Sequence, residues 1–200
     1  MMKKRTLIGM GGATVLRVGL LCCLMVAGCA GLSAGAGVRD RVLSNGYSLL
    51  HDLVSKQSQV GGILILKSAS RETESLIKAI AKASQDADQK IQRFVEKDDR
   101  LTLHRPGLPQ IEQATRDKIE SATAQKLLFA GDGFELELLL TQFEATKYGS
   151  YLAGRIARED THDAHREWLE NFSKLYAGLH EQVVARLTDH NGSSKETNQD

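Results

Sequence analysis

Both prolines of this 200-residue chain lie in one five-residue segment, 105–109. Proline lacks the amide proton that a helix requires, so it ends or kinks a helix. Elsewhere the chain is free of this restriction, and apolar or small residues recur at spacings of three and four, as on one helix face. The clearest example is the series Ile77, Ile80, Ser84, Ala87, Ile91 and Phe94. The sequence therefore predicts an all-α fold that the proline segment divides into two helical halves.

Four long helices and one shorter helix are expected. The short first helix is marked by Leu43, Tyr47, Leu50 and Val54 and is interrupted or ends near Gly61-Gly62. Of the long helices, one carries the series from Ile77 to Phe94, two cover about 110–130 and 134–158, and the last carries a series from Trp168 or Leu169 to Leu187. Residues 63–66 could form a buried strand, but with no second strand nearby, a helical turn or buried connector is favoured. Asp160 or Thr161 is the expected N-cap of the last helix. The arrangement predicts an antiparallel four-helix bundle with a short additional N-terminal helix.

Charge and composition exclude some classes of function. The chain carries 26 Lys+Arg against 25 Asp+Glu, which argues against nucleic-acid binding through bulk positive charge. A hydrophobic fraction of 42% is typical of one ordinary globular domain with appendages.

The N-terminus has the layout of an export signal. Lys3, Lys4 and Arg5 form a basic start, and an apolar run follows over residues 18–26. A membrane-spanning helix needs roughly 20 consecutive apolar residues, and this run gives way to glycines too early.

The four residues Val26-Ala27-Gly28-Cys29 that follow resemble the lipobox of bacterial lipoproteins. The resemblance implies cleavage before Cys29 and attachment of fatty acyl chains, such as palmitate, to that residue. Because more than one acyl chain gives lasting membrane attachment, it implies a stable anchor. An uncleaved signal anchor is the alternative. Ala30 is not the aspartate associated with inner-membrane retention, so the periplasmic face of the outer membrane is expected rather than the inner membrane.

These features define an expected domain organisation. Residues 1–28 are the signal peptide, 29–40 the lipidated cysteine and a flexible tether, 41–189 the helical bundle, and 190–200 a disordered tail. Cleavage would remove Cys22 and Cys23 and leave 22 basic against 25 acidic groups. With Cys29 acylated, the mature chain would have no thiol for a disulfide, for catalysis or for zinc.

The bundle itself resembles a ferritin-like domain found in bacterial secreted proteins. The segment 67–78, Asp86, the proline segment, Phe134-Glu135, the segment 142–145 and Leu179-His180 carry the resemblance. It implies a ferritin-like bundle and no particular activity. Relatives have histidines at the positions of Ala87 and Phe143, so the expected ligands of a di-iron centre are incomplete here.

The remaining metal candidates are Glu144, Glu159, His162, His165 and His180. A di-iron bundle needs a Glu-x-x-His pair on each of two helices. The chain has one, Glu159-x-x-His162, at a predicted helix junction. We expect His162 and His165 to be solvated residues of a first turn and His180 to lie at the edge of the core. Glu144 is either partly buried or, as is favoured, part of a peripheral salt bridge.

The expected function is therefore a structural or interaction role in the cell envelope, without catalysis or cofactor. Its partners would be the membrane, through the N-terminal lipid, and either another protein or a second copy of the chain. The apolar side chains Leu136, Leu139, Leu140 and Phe143 are either deeply buried or the surface for that partner. A metal-binding ferritin-like bundle is the alternative function.

Overall fold

The computed structural model describes the backbone of residues 19–103 and 107–196 and the side chains of residues 37–103 and 107–190. Its elements are α1 (Gly19–Ser58), a 3-10 helix (Val60–Ile65), α2 (Arg71–Val95), α3 (Gln110–Phe129), α4 (Phe134–Glu159), and α5 (Asp163–Glu196).

 No strand occurs among these described residues, which confirms the all-α prediction. The chain divides into two compact units, residues 1–39 and 40–200. Residues 19–39 of the first unit are helical, and the core described next belongs to the second.

Helix α2 shows how the sequence determines where a helix begins and which face it buries. Ser70 caps it, because its side-chain oxygen accepts a hydrogen bond from the amide of Thr73 (3.3 Å). Acidic residues occupy the first turn and Arg93 the last, as the helix dipole favours. The face predicted from spacing is buried at every position: Ile77, Ile80, Ser84, Ala87, Ile91 and Phe94.

Helices α4 (Phe134–Glu159) and α5 form an antiparallel hairpin in which small residues allow a close approach. The hydroxyl of Ser150 donates to the carbonyl of Ser173 (2.9 Å), and the hydroxyl of Ser173 donates to the carbonyl of Ser150 (2.8 Å). A Cβ atom added to Gly149 would lie only 2.6 Å from the Tyr176 ring. Small residues on α4 therefore determine how closely the hairpin packs.

Gly149 and Tyr176 belong to a layer of side chains in which four helices meet. Tyr176 of α5 fills the space beside Gly149 of α4, and Leu53 of α1 approaches that glycine from another side. The Tyr176 hydroxyl lies 2.6 Å from the hydroxyl of Ser84 on α2. Both polar groups are fully buried, so this hydrogen bond satisfies atoms that would otherwise be costly to bury.

At one end of the bundle, called here the Glu135 end, a single carboxylate links α4 to the start of α2. Glu135 of α4 accepts hydrogen bonds from the backbone amide of Ser70 (2.9 Å) and from the hydroxyls of Ser70 and Thr73 (both 2.6 Å). Partial burial raises the pKa of Glu135, but these hydrogen bonds outweigh it and leave the pKa below its ordinary value. Arg186 of α5 also donates to Ser70 (3.2 Å), so α2, α4 and α5 meet here.

Helix α3 contributes no fully buried side chain to the core, although its partly buried Leu127 packs against the cluster of Ile77, Phe134 and Leu138. The buried side chains come from α1, α2, α4 and α5 and from Leu101, whereas α3 has no buried residue. Its contacts with the bundle include ion pairs, Lys56–Glu120 (2.7 Å) and Lys126–Glu137 (2.7 Å). Exposed pairs of this kind contribute at most about 1 kcal/mol each. The four core helices are therefore α1, α2, α4 and α5. They include the first helix, which was expected to be short and additional to the bundle.

The structure differs from the predicted boundaries in three places. Helix α1 continues through residues 30–39, the expected tether, and α5 continues through 190–196, part of the expected tail. Glycine lowers helix stability but, unlike proline, does not block the hydrogen bonds. Residues 63–66 form a helical turn, one of the two favoured alternatives, and the other alternative, a buried connector, is wrong, since Ile65 and Leu66 are 85% and 70% exposed.

The predicted signal region is only partly described. Residues 1–18 lie outside the described part of the chain, as do the side chains of Val26, Ala27, Gly28 and Cys29. Within the described part, no helix combines the length and the apolar character needed to cross a membrane.

We expect Gly149→Ala to destabilise the bundle by about 1–3 kcal/mol, because the added methyl group must displace Tyr176 or Leu53. Gly178→Ala is the matched control. It lies in α5 with nothing within 4 Å of the new methyl, and should stabilise the helix by about 0.5–1 kcal/mol. Urea unfolding followed by circular dichroism measures both; equal midpoints for the two variants would contradict the packing described.

Candidate functional site

A polar cluster lies at the opposite end of the bundle, where α4 passes into α5. We call Tyr47, Asp160, His162 and His165 the junction cluster. Asp160 is 3% exposed and accepts two hydrogen bonds, one from the backbone amide of His162 (2.8 Å) and one from the Tyr47 hydroxyl (2.7 Å). The first shapes the turn between α4 and α5, and the second attaches α1 to that turn.

Tyr47 keeps its proton throughout the range in which proteins are folded. Burial is the main cause that raises its pKa, and the hydrogen bond to Asp160 together with the charge of that carboxylate raises it further. The phenol is therefore a permanent donor to Asp160.

His165 is enclosed on both sides of its ring. The ring lies 3.9 Å from that of Phe94 and 4.1 Å from that of His162, centroid to centroid. Its Nδ1 is 3.3 Å from a carboxylate oxygen of Asp160, although the angle falls short of a hydrogen bond. Burial lowers the pKa of His165, and the nearby Asp160 opposes that shift without cancelling it. The imidazole is consequently neutral at pH 7.

An ion pair lies beside the cluster. Arg100 donates to both carboxylate oxygens of Asp98 (2.9 and 2.6 Å) and to the Thr161 hydroxyl (3.3 Å). The hydrogen bonds from Arg100 are the largest cause of the lowered pKa of Asp98. The carboxylate of Asp98 therefore stays ionised close to the junction and adds negative charge near His165.

The junction cluster can change its protonation state, but its geometry otherwise serves to hold α1 against the α4–α5 turn. A neutral imidazole beside a carboxylate is the arrangement of a general base. Here Phe94 and His162 cover the two faces of the imidazole. What the arrangement provides is a contact between α1 and the α4–α5 turn whose stability depends on pH.

The structure brings together only two of the five predicted metal candidates. His162 and His165 are stacked, and of the two His165 is buried, so the expectation of two solvated residues was wrong for His165. Glu159 instead pairs with Arg155 (2.8 Å). Among the described residues, no three potential ligands gather around one point.

The other two candidates lie elsewhere on the α4–α5 hairpin. Glu144 is exposed, because it points away from the side of α4 that carries Gln142 and Thr146, so the alternative of partial burial is wrong. His180 lies at the core edge, as predicted: its Nδ1 is 3.1 Å from the carbonyl of Phe143. Because a carbonyl only accepts, that nitrogen carries the proton.

The apolar side chains of early α4 are mostly packed inward. Leu139 is fully buried and Phe143 packs against the core, whereas Leu140 is 42% exposed. Of the two readings of this stretch, the structure favours burial over a surface for a partner.

An exposed apolar surface does occur on α3, where the sequence analysis did not place one. Four of its large apolar side chains face solvent: Ile111 (79% exposed), Ile119 (61%), Leu128 (44%) and Phe129 (84%). Exposed apolar side chains can mark an interaction site. The signal available in the sequence was the lack of one continuous apolar stripe along this helix.

A polar cleft of about 290 Å³ lies between α1 and α3. Its charged side chains are largely engaged with each other or with neighbours, as in the pairs Lys56–Asp52 (3.0 Å) and Arg116–Glu112 (2.8 Å). The cleft offers no group aimed at a particular ligand.

Comparison with known proteins identifies no relative. No protein-family model matches the chain, and no curated protein or solved structure is significantly similar to it.

The junction cluster predicts an acid-dependent loss of stability. Because the pKa of His165 is lowered in the folded state, the unfolded chain binds this proton more readily. The free energy of unfolding should therefore fall as the pH drops below about 6.5. His165→Gln should reduce that fall, whereas the exposed His162→Gln should leave most of it.

Urea unfolding between pH 7.5 and pH 5.5 measures this effect for the wild type and both variants. If His165→Gln showed the same fall as the wild type, the buried neutral imidazole would not be its source.

Proposed function

We propose that this protein is a bacterial lipoprotein, anchored at the periplasmic face of the outer membrane, whose helical bundle acts by binding another protein chain rather than by catalysis. The proposal combines two features. The N-terminal sequence supplies the anchor, and the surface of α3 supplies the contact.

The anchor rests on the order of three sequence elements. A basic start, an apolar run and the residues Val26-Ala27-Gly28-Cys29 follow one another at the spacing typical of a lipoprotein signal. Attachment of more than one acyl chain to Cys29 would hold the protein on a bilayer, since each buried methylene contributes about 0.8 kcal/mol.

The observation that carries the interaction role is the position of α3 outside the core. A helix of 20 residues with no buried side chain gains little from the bundle. It nevertheless presents Ile111, Ile119 and Phe129 to solvent, each more than half exposed. Burying such side chains against a partner would stabilise a complex by about 1.5–3 kcal/mol each.

Substitution of one cysteine tests the anchor. Cys29→Ser should move the protein from the membrane fraction to the soluble fraction or leave it as an uncleaved precursor, because serine cannot receive the thioether-linked lipid. Cys23→Ser, in the segment expected to be removed, should change nothing and is the matched control.

Fractionation of cells and mass spectrometry of the N-terminal peptide provide the readouts. Unchanged membrane association of Cys29→Ser with normal processing, or an unmodified thiol at residue 29 of the wild type, would refute the lipoprotein assignment.

A further inference from the structure

Two donors in the junction cluster are directed at one oxygen atom of Asp160. Its Oδ2 accepts the hydrogen bond from the Tyr47 hydroxyl (2.7 Å), and its Oδ1 accepts the one from the amide of His162 (2.8 Å). The Nδ1 atom of His165 lies 3.3 Å from the same Oδ2, yet it is buried without a hydrogen bond. Both oxygens of Asp160 are therefore already engaged, one with α1 and the other with the turn before α5.

Protonation of His165 changes what Asp160 must bind. An imidazolium carries a hydrogen on each ring nitrogen, so Nδ1 then requires an acceptor. The His165 ring is held between the rings of Phe94 and His162, with centroids 3.9 and 4.1 Å away. The carboxylate must turn instead, and turning it breaks the hydrogen bonds that it accepts from Tyr47 and from the amide of His162. A protonated His165 and the attachment of α1 to the turn are consequently alternatives.

Charged and titratable groups face His165 from each element packed against it. They are Asp160 and His162 of the turn, Asp98 with Arg100 after α2, Tyr47 of α1, and Lys90 of α2, whose ammonium group lies 5.1 Å from the centre of the Phe94 ring. On α5 itself, Asp163 and Arg166 pair with each other. Burial lowers the pKa of His165, the charge of Asp160 opposes this shift, and His162 adds to it. An opened form therefore binds the proton more readily than the closed form, and acid favours opening.

Residues 98–103 hold this end of the bundle together only indirectly. The amide of Thr102 donates to the Ser44 hydroxyl of α1 (3.0 Å), and Arg100 donates to the Thr161 hydroxyl of the turn (3.3 Å). Once the carboxylate has turned, these contacts join α1 to the turn through a segment that belongs to neither helix. Such an end can separate without the rest of the bundle, since proteins open in local units.

The centre of the bundle and the Glu135 end do not respond to mild acid. The Tyr176 hydroxyl, bonded to Ser84, keeps its proton, because burial raises its pKa to about 12. Burial raises the pKa of Glu135, but the hydrogen bonds from Ser70 and Thr73 outweigh it, so this carboxylate stays ionised at pH 5.5. Acid between pH 7.5 and pH 5.5 therefore acts on the junction end alone among these three layers.

We propose that His165 is a proton-operated switch: its protonation turns Asp160 away from Tyr47 and opens the end of the bundle formed by the start of α1, residues 98–103 and the α4–α5 turn. The layer around Gly149 and the Glu135 end stay folded. Opening brings the buried rings of Tyr47 and Phe94 to solvent. This inference does not depend on whether Cys29 is lipidated or on what α3 binds.

Hydrogen exchange of the purified full-length chain in mild detergent, followed by mass spectrometry, tests the switch. Exchange is compared at pH 7.5 and pH 5.5 after correction for its intrinsic pH dependence. Protection over residues 98–103 and 160–165, which contain the amides of Thr102 and His162, should fall by about three- to tenfold. A histidine with a pKa of about 6.5 in the opened form and a lower one in the closed form produces a change of this size.

Residues 67–73 provide the matched control within the same chain. They contain the amide of Ser70, which donates to the carboxylate of Glu135 (2.9 Å) as the amide of His162 donates to that of Asp160. Their protection should be the same at both pH values. An equal loss of protection over all three segments means that the bundle opens as a whole, and unchanged protection at the junction end means that it does not open. Either result overturns the proposal.

Three variants identify the group that titrates. His165→Gln should abolish the pH dependence over residues 98–103 and 160–165, because glutamine does not titrate, whereas His162→Gln should retain it. Tyr47→Phe should lower protection already at pH 7.5 and reduce the further fall at pH 5.5, because Asp160 can then accept from the protonated His165 without releasing α1. A fall in Tyr47→Phe as large as in the wild type would show that Tyr47 and His165 do not compete for Asp160, and would overturn the proposal.

Discussion

The missing side chain of Gly149 is the constraint on which the rest of the bundle depends. Because nothing projects from α4 at this position, the Tyr176 ring of α5 can lie against the α4 backbone, with Leu53 of α1 beside it. The Tyr176 hydroxyl then reaches Ser84 of α2. All four core helices thus meet in one layer. Close packing of this kind tolerates little added volume, which makes the layer sensitive to a single methyl group.

Two carboxylates stabilise the two ends of the bundle, above and below the layer around Gly149. Glu135 accepts hydrogen bonds from the first turn of α2, and Asp160 accepts them from Tyr47 and from the turn before α5. Each carboxylate lies beside one end of α4, so this helix is fixed at its ends as well as at its centre. Helix α3 takes no part in these ties. It carries the chain from one end of the bundle to the other and leaves most of its large apolar residues in solvent.

Periodicity in the sequence predicts most of the fold. Spacings of three and four locate α2, α4 and α5. The small residue Ser84 in the buried face of α2 forms the hydrogen bond with the Tyr176 hydroxyl. Periodicity reports only that one face of a helix is apolar. It does not report which helix covers that face, and so the sequence could not show that the first helix belongs to the core and that α3 does not.

The junction cluster was less predictable for a related reason. Asp160 was expected only as a helix cap, since its main partner, Tyr47, is 113 residues away in the sequence. Likewise, the burial of His165 depends on Phe94 of another helix. Both properties arise from contacts between elements distant in the chain, whereas spacing along one helix describes only local neighbours.

Replacement of α3 tests most directly the claim that the bundle folds without this helix. Residues 110–129 would be exchanged for a Gly/Ser segment of the same length, which is long enough to connect the two ends of the bundle. Unfolding by urea would be followed by circular dichroism and by the near-ultraviolet signal of the buried aromatic residues. We predict a cooperative transition, with a helical signal lower by the contribution of 20 residues and an aromatic signal that is retained. Loss of the cooperative transition would show that α3 is part of the folding core and would contradict this account.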